Sequence, residues 1–340
     1  MTKIIGEEIL SLEALSIGFV AGKRKHDILP PVSADAKKGE LVAVLGRNGI
    51  GKSTLLRTIM GLQPSLGGTI FIDGKNSSEY SRSELARKAG YISTEIVRAS
   101  NMSVYDLVAL GRFPYTGWSG GNDPEGKSAI ASAMIKTGMT GFSERYVAEL
   151  SDGERQRAMI ARVLAQQTDI LIMDEPTAFL DIAGRYEMIH LMSDLTREGR
   201  TILFSTHDFN IALNQADKIW LLLENALIEG SPEDLVLGGA FDNLFNPDIA
   251  GFNHADGTFS LKLEKRGELF VKGEGMTRNW TIKALARAGY SASDNFSVPY
   301  LITPGETGTK WVMVLKDSSV EFESIYSLAA WLVKNKNLIA

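Results

Sequence analysis

The run GRNGIGKST, Gly46 to Thr54, constrains this chain more than any other stretch. It carries Gly46, Gly51, Lys52 and Ser53 at the fixed positions of G-x-x-x-x-G-K-[ST]. The continuously apolar LVAVLG precedes it and the helical pattern TLLRTIMG follows. A buried strand, a glycine-rich loop and a helix start make a phosphate cradle. Glycines let backbone N–H groups turn inward around phosphate oxygens, and the helix N-terminus adds partial positive charge. The expected nucleotide-binding set is Gly46, Arg47, Asn48, Gly49, Gly51, Lys52, Ser53 and Thr54. Lys52 is expected on the β- and γ-phosphates of ATP, and the Ser53 hydroxyl on Mg2+. A plain glycine-rich turn would explain the glycines alone, without the strand–loop–helix context.

The segments around this loop set the fold class. DILIMD (Asp169 to Asp174) and TILFST (Thr201 to Thr206) are apolar runs of strand length. Such runs suit parallel strands covered on both faces. Between them GRYEMIHLMSDLTREG has amphipathic helical spacing. Strands alternating with helices predict an α/β core of the P-loop NTPase kind. The first ~30 residues read as a small antiparallel sheet. From Asn101 to Gln167 the pattern is mostly helical, with a Gly/Pro/Asn loop at Gly111 to Gly126.

Beyond about Leu244 the character changes. FSLKLEKRGELFVKGEG is expected to form a β-hairpin around Arg266-Gly267, TRNWTIKALARAGY a helix, KWVMVLK a strand and SIYSLAAWLVKNK a closing helix. The expected organisation is a first domain over 1–245, with a helical subdomain at about 95–167, and an accessory α+β domain over 246–340.

Composition narrows the function classes. The 340 residues are 44% hydrophobic and 23% charged, as in soluble globular proteins. A net charge of -5 gives no overall basic field, so nucleic acid is not an expected partner. The chain has no cysteine, which excludes disulfides, thiolate metal sites and cysteine nucleophiles and fits a cytoplasmic protein. The N-terminus reads as no signal peptide, and no apolar run reaches the ~18 residues of a membrane span. Work at a membrane would need another chain as anchor.

Two further stretches carry chemistry. ILIMDEP ends an apolar strand in adjacent acids, at the end where α/β folds bind ligands. Asp174 suits a metal, directly or through water, and Glu175 suits the attacking water as general base or orienter. A solvated strand end is the alternative. LSDGERQR places Ser151 three residues before Glu154, the capping-box spacing, at the start of an apolar-periodic helix.

A P-loop followed by LSDGERQR, DEPTAFLD and STHD, in that order, resembles the ATP-binding subunit of ABC transporters over roughly Ile9 to Leu237. The resemblance implies that Ser151 and Gly153 contact the γ-phosphate of ATP held by the opposite subunit of a homodimer. It implies that Asp181 lies in the loop crossing that interface, that His207 is the histidine sensing the γ-phosphate, and that Phe19 stacks on adenine. A surface or capping role is the alternative for His207. It further implies integral-membrane permease subunits as partners, a substrate-binding protein indirectly, and a peripheral place on the cytoplasmic face of the inner membrane. VYDLVALGRFPYTGW resembles the branch importing iron–siderophore complexes, haem or cobalamin. Core packing is the other reading of its aromatics.

Three positions depart from the family pattern. The usual LSGGQ stands here as LSDGE, with Asp152 and Glu154 either near an anionic phosphate or facing away from it as first-turn acids that stabilise the helix. Thr94 occupies the place of the family's glutamine, and Glu95 beside it is a substitute metal ligand by expectation. The region after about Asn246 lies beyond the usual end of this branch; it either regulates through a ligand or partner, or serves as a dimer-stabilising or packing domain. A non-transport ATPase of the same family, in repair, translation or cluster assembly, is the alternative function.

Overall fold

The computed structural model describes residues 5–21, 24–93, 101–116, 123, 125–242, 244, 248–254, 257–262, 264–296, 299–305 and 308–335. Two compact units divide the chain: Met1–Leu244 with Phe252–Thr258, and Phe245–Gly251 with Phe259–Ala340.

The first unit opens with two long strands, β1 (Glu8–Ala21) and β2 (Arg24–Lys37). After them come β3 (Leu41–Leu45), α1 (Lys52–Ile59), β4 (Gly67–Ile72), β5 (Lys75–Asn76), α2 (Arg82–Lys88) and β6 (Ala89–Ile92). A helical region holds α3 (Val104–Ala109), α4 (Phe113–Thr116), α5 (Gly126–Lys136) and α6 (Asp152–Ala165). The core resumes with β7 (Ile170–Met173), α7 (Ile182–Arg197), β8 (Thr201–Thr206), α8 (Phe209–Gln215), β9 (Lys218–Leu223), β10 (Ala226–Gly230) and α9 (Pro232–Leu237).

Two sheets form. β2-β1-β4-β5 is antiparallel; the sequence pattern predicts such a sheet from the N-terminal strands by themselves, but β4 and β5 join it from beyond the phosphate loop. The central sheet runs β10-β9-β3-β8-β7-β6, parallel in every pairing except β9 with β10. Every residue of β3, β7 and β8 is buried, which is why these strands read as unbroken apolar runs rather than alternating ones. Glu224 and Asn225, which interrupt the most apolar stretch of the sequence, form the two-residue turn between β9 and β10.

Register then builds the site. Leu45 pairs with Thr206, and Met173 with Phe204. Because the strands are parallel, the residues following β3, β7 and β8 all emerge at one edge, outside the carboxyl ends where such sheets take ligands.

The GRFPY segment is packed on α6. A Cβ on Gly111 would lie 2.0 Å from the Arg162 carbonyl oxygen, so only glycine permits the approach. Arg112 is buried and grips Asp123 with two hydrogen bonds, at 2.7 and 3.0 Å. It also donates to the Ala165 carbonyl and lies 3.9 Å over the Tyr115 ring. Phe113 remains about half exposed. Packing therefore accounts for the glycine, the arginine and the tyrosine.

Further along lie β11 (Ala250–Asn253), β12 (Thr258–Leu261), β13 (Gly267–Lys272), α10 (Gly275–Arg287), β14 (Tyr290–Ser293), β15 (Tyr300–Ile302), β16 (Trp311–Val314), β17 (Ser319–Phe322) and α11 (Ile325–Lys334). The expected hairpin around Arg266-Gly267 is not formed. β12 pairs with β11, and β13 enters a five-stranded sheet, β14-β13-β15-β16-β17. Leu269 and Val271 decide this, because both are buried and β13 needs a partner on each side. The second unit has its own core, in which Tyr290, Leu301, Met313, Phe322, Leu328 and Leu332 pack with those two residues.

Candidate active site

The loop after β3 wraps the start of α1. Gly51 caps the helix at φ 109°, a left-handed conformation that costs glycine nothing. A Cβ there would meet Ile28 at 2.7 Å and Ile17 at 3.5 Å, so the antiparallel sheet abuts the loop. Phe19, two residues beyond Ile17, is 55% exposed. Lys52 is buried, with Nζ donating to the carbonyls of Gly46 at 2.9 Å and Arg47 at 3.3 Å. Burial holds its ammonium below the ordinary value, opposed by the charges of Glu175 and Asp174.

The acids after β7 converge on this loop. Ser53 Oγ donates to Asp174 Oδ1 at 2.9 Å, and Ser205 Oγ donates to the same oxygen at 2.7 Å. Tyr91 OH approaches Asp174 Oδ2 at 3.4 Å, and burial pushes its phenol up to about 12. Glu175 takes a left-handed backbone, φ 45°, and its N–H donates to Ser205 Oγ at 2.8 Å. His207 Nδ1 lies 3.6 Å from Glu175 Oε1. Lys52, Ser53, Asp174, Glu175 and His207, separate in sequence, thus form one cluster. The oxygen donors of Ser53 and Asp174 fit Mg2+, a hard cation that keeps several waters and leans on substrate phosphates. Among the described residues no group of three or more His, Asp or Glu could hold a metal ion. Thr94 and Glu95 lie outside the described residues.

Ser151 and Gly153 fall elsewhere. They line a groove of about 730 Å³ together with Asp181, Phe179 and α7, and neither the phosphate loop nor Glu175 is among its walls. Ser151 caps α6 in a full capping box with Glu154. Asp181 caps α7, accepting from Gly184 N–H at 2.8 Å. Phe179 beside it has φ 64° and is 77% exposed. Sequence reasoning missed Ser205, Tyr91 and the Arg112–Asp123 clasp. The signal available for Ser205 was a hydroxyl directly after the apolar run Ile202–Phe204, in a strand buried throughout.

A phosphate loop, a carboxylate pair at the end of β7 and a separate signature helix define a P-loop ATPase with its signature set apart from its own nucleotide site. The chain belongs to the ATP-binding subunits of ABC transporters. The ABC transporter family matches residues 29–178, and the iron ABC transporter C-terminal domain family matches residues 266–333. The ferric enterobactin transport ATP-binding protein FepC of Escherichia coli is 34% identical over 68% of this chain and 85% of its own. The iron(3+)-hydroxamate import ATP-binding protein FhuC of Bacillus subtilis is 34% identical over 70% of this chain and 88% of its own. The dimeric post-hydrolysis structure of the ATP-binding cassette MJ0796, bound to ADP and Pi, superposes with a TM-score of 0.58 at 26% identity. It covers 66% of this chain and 99% of that one.

Proposed function

We propose that two copies of this chain close around two ATP molecules and drive a permease importing an iron–siderophore or related metal chelate. The observation that carries the reading is the separation of two half-sites on one chain. The cluster of Lys52, Ser53, Asp174, Glu175 and His207 lacks the signature, and the groove holding Ser151 and Gly153 lacks the phosphate loop. A second copy facing the first supplies what each half-site lacks.

The residues divide the work. Lys52 and the backbone N–H groups from Gly46 to Thr54 hold the phosphates. Ser53 and Asp174 would hold Mg2+, which neutralises charge on the β- and γ-phosphates when bound. Glu175 orients the attacking water and takes its proton. His207, beside Glu175, donates to the γ-phosphate. Ser151 and Gly153 of the partner copy close on that phosphate, so ATP binding favours the closed dimer and product release favours the open one. The permease holds the pair at the membrane's cytoplasmic face; among the described residues no helix of this chain is long and apolar enough to cross a membrane. A substrate-binding protein delivers the chelate on the far side.

The chelate class rests on the relatives named above. Proteoliposomes carrying the permease and this chain test it. ATP-dependent uptake of radiolabelled ferric siderophore supports the reading, and uptake of an unrelated solute alone refutes it.

A further inference from the structure

One buried hydroxyl joins the two acids of the site. Ser205 is 0% exposed, on β8 beside β7. Its single proton goes to Asp174 Oδ1 at 2.7 Å, and its oxygen accepts the Glu175 N–H at 2.8 Å. A serine hydroxyl has one proton to give and lone pairs to receive, so this pair of bonds fixes its orientation. Asp174 Oδ1 is the same oxygen that Ser53 Oγ meets at 2.9 Å. Glu175 holds φ 45°, a region that non-glycine residues enter at a cost and keep only where neighbours enforce it.

We propose that Ser205 is a positioning residue for ATP hydrolysis, setting the Asp174 carboxylate and the Glu175 backbone as one unit. The inference rests on the ATPase reading of this site. Ser205 is buried and acts through the two acids it bonds. It turns Oδ1 of Asp174 toward Ser53, and it anchors the turn from which the Glu175 side chain departs. Tyr91 does not duplicate it, because that hydroxyl reaches only Oδ2, at 3.4 Å. Without Ser205 the Glu175 N–H loses its acceptor and Asp174 loses its shorter bond, so both acids gain freedom together.

The test compares Ser205→Ala and Ser205→Thr in the full chain. Three readouts are needed: turnover against ATP, turnover against free Mg2+, and binding of a fluorescent ATP analogue in EDTA. Ser205→Ala is expected to lower kcat about ten- to hundredfold and to raise the half-saturating Mg2+ several-fold. Metal-free nucleotide binding should stay within about twofold, since the phosphate loop is untouched. Ser205→Thr restores the hydroxyl and should recover most of kcat. Wild-type kcat and Mg2+ dependence in Ser205→Ala would overturn the proposal. So would loss of metal-free nucleotide binding in both variants, which marks Ser205 as a packing residue only. A wild-type chain that binds ATP yet never turns it over would instead remove the ATPase reading on which the proposal stands.

Discussion

Glu154 Oε2 lies 2.8 Å from both the backbone nitrogen and the hydroxyl oxygen of Ser151. The Ser151 hydroxyl in turn accepts from the Glu154 N–H at 3.3 Å. Asp152 is also held within its own helix, bonded to Arg155 at 2.8 Å. The acids that make this signature unusual are therefore committed to the chain that carries them. The proton Ser151 would offer a partner's γ-phosphate is already given to Glu154, so phosphate and carboxylate compete for it.

Glu154→Gln keeps the reach of the cap and removes the charge. ATP-driven dimerisation should then occur at several-fold lower ATP, read by light scattering during titration. Unchanged or weaker dimerisation would show that Glu154 serves only as a cap. Glu154→Ala, which loses the reciprocal bond, should cost about 1 kcal/mol. That corresponds to a melting point lower by about 2–4 °C.

In the Arg112–Asp123 clasp Arg112 is buried and Asp123 half-buried, with side chains 5% and 10% exposed. Removing one member leaves the other without its partner, so Arg112→Ala should lower stability in urea by about 3 kcal/mol. The pair also sets an acid limit. The Arg112 hydrogen bond holds the Asp123 carboxyl below its ordinary 3.8. The resulting stability is fully present above that value and is lost as pH falls through the lower folded value. Arg112→Ala should therefore flatten the acid unfolding curve. An equally steep curve in the variant would contradict the assignment.

Lys52 gives the opposite limb. Burial lowers it from 10.5, and bound phosphates would favour its charged form. The folded chain thus carries a penalty for its charged lysine that is fully present below the depressed value and fades as pH rises toward 10.5. ATP affinity should fall as pH rises through the depressed value, because binding must then take up a proton. Calorimetric titrations across the alkaline range check this. Lys52→Ala should bind ATP at least about a hundredfold more weakly at neutral pH, from loss of a charge-assisted phosphate contact.

Residues 252–258 belong with the first unit although they follow its last helix. Phe252 stacks 5.2 Å from the fully buried Phe241, and His254 Nε2 lies 2.8 Å from Asp242. A chain ended after Thr258 should keep basal ATPase activity close to that of the full chain. One ended after Leu244 exposes Phe241 and should be less stable by about 1–3 kcal/mol. Equal melting points would remove Phe252 from that role.

The sequence made the core legible where one residue type has one physical use. The phosphate loop followed from Gly51 and Lys52 between a strand and a helix, and the central strands from runs too apolar for one-sided burial. What it hid depends on contacts between distant segments. Nothing near Ser205 names Asp174, because the two meet only when β8 lies beside β7. Nothing near Arg112 names Asp123 as its clasp. The hairpin expected at Arg266-Gly267 went astray for the same reason. Local turn chemistry favoured it, while burial of Leu269 and Val271 in a sheet with β14 and β15 overrode it.

If ATP closes two copies of this chain and Glu175 opens them by hydrolysis, light scattering of Glu175→Gln with and without Mg-ATP will register it. A monomer without nucleotide, a stable dimer with Mg-ATP and no phosphate release are expected. A variant that stays monomeric with Mg-ATP and still releases phosphate would contradict this cycle.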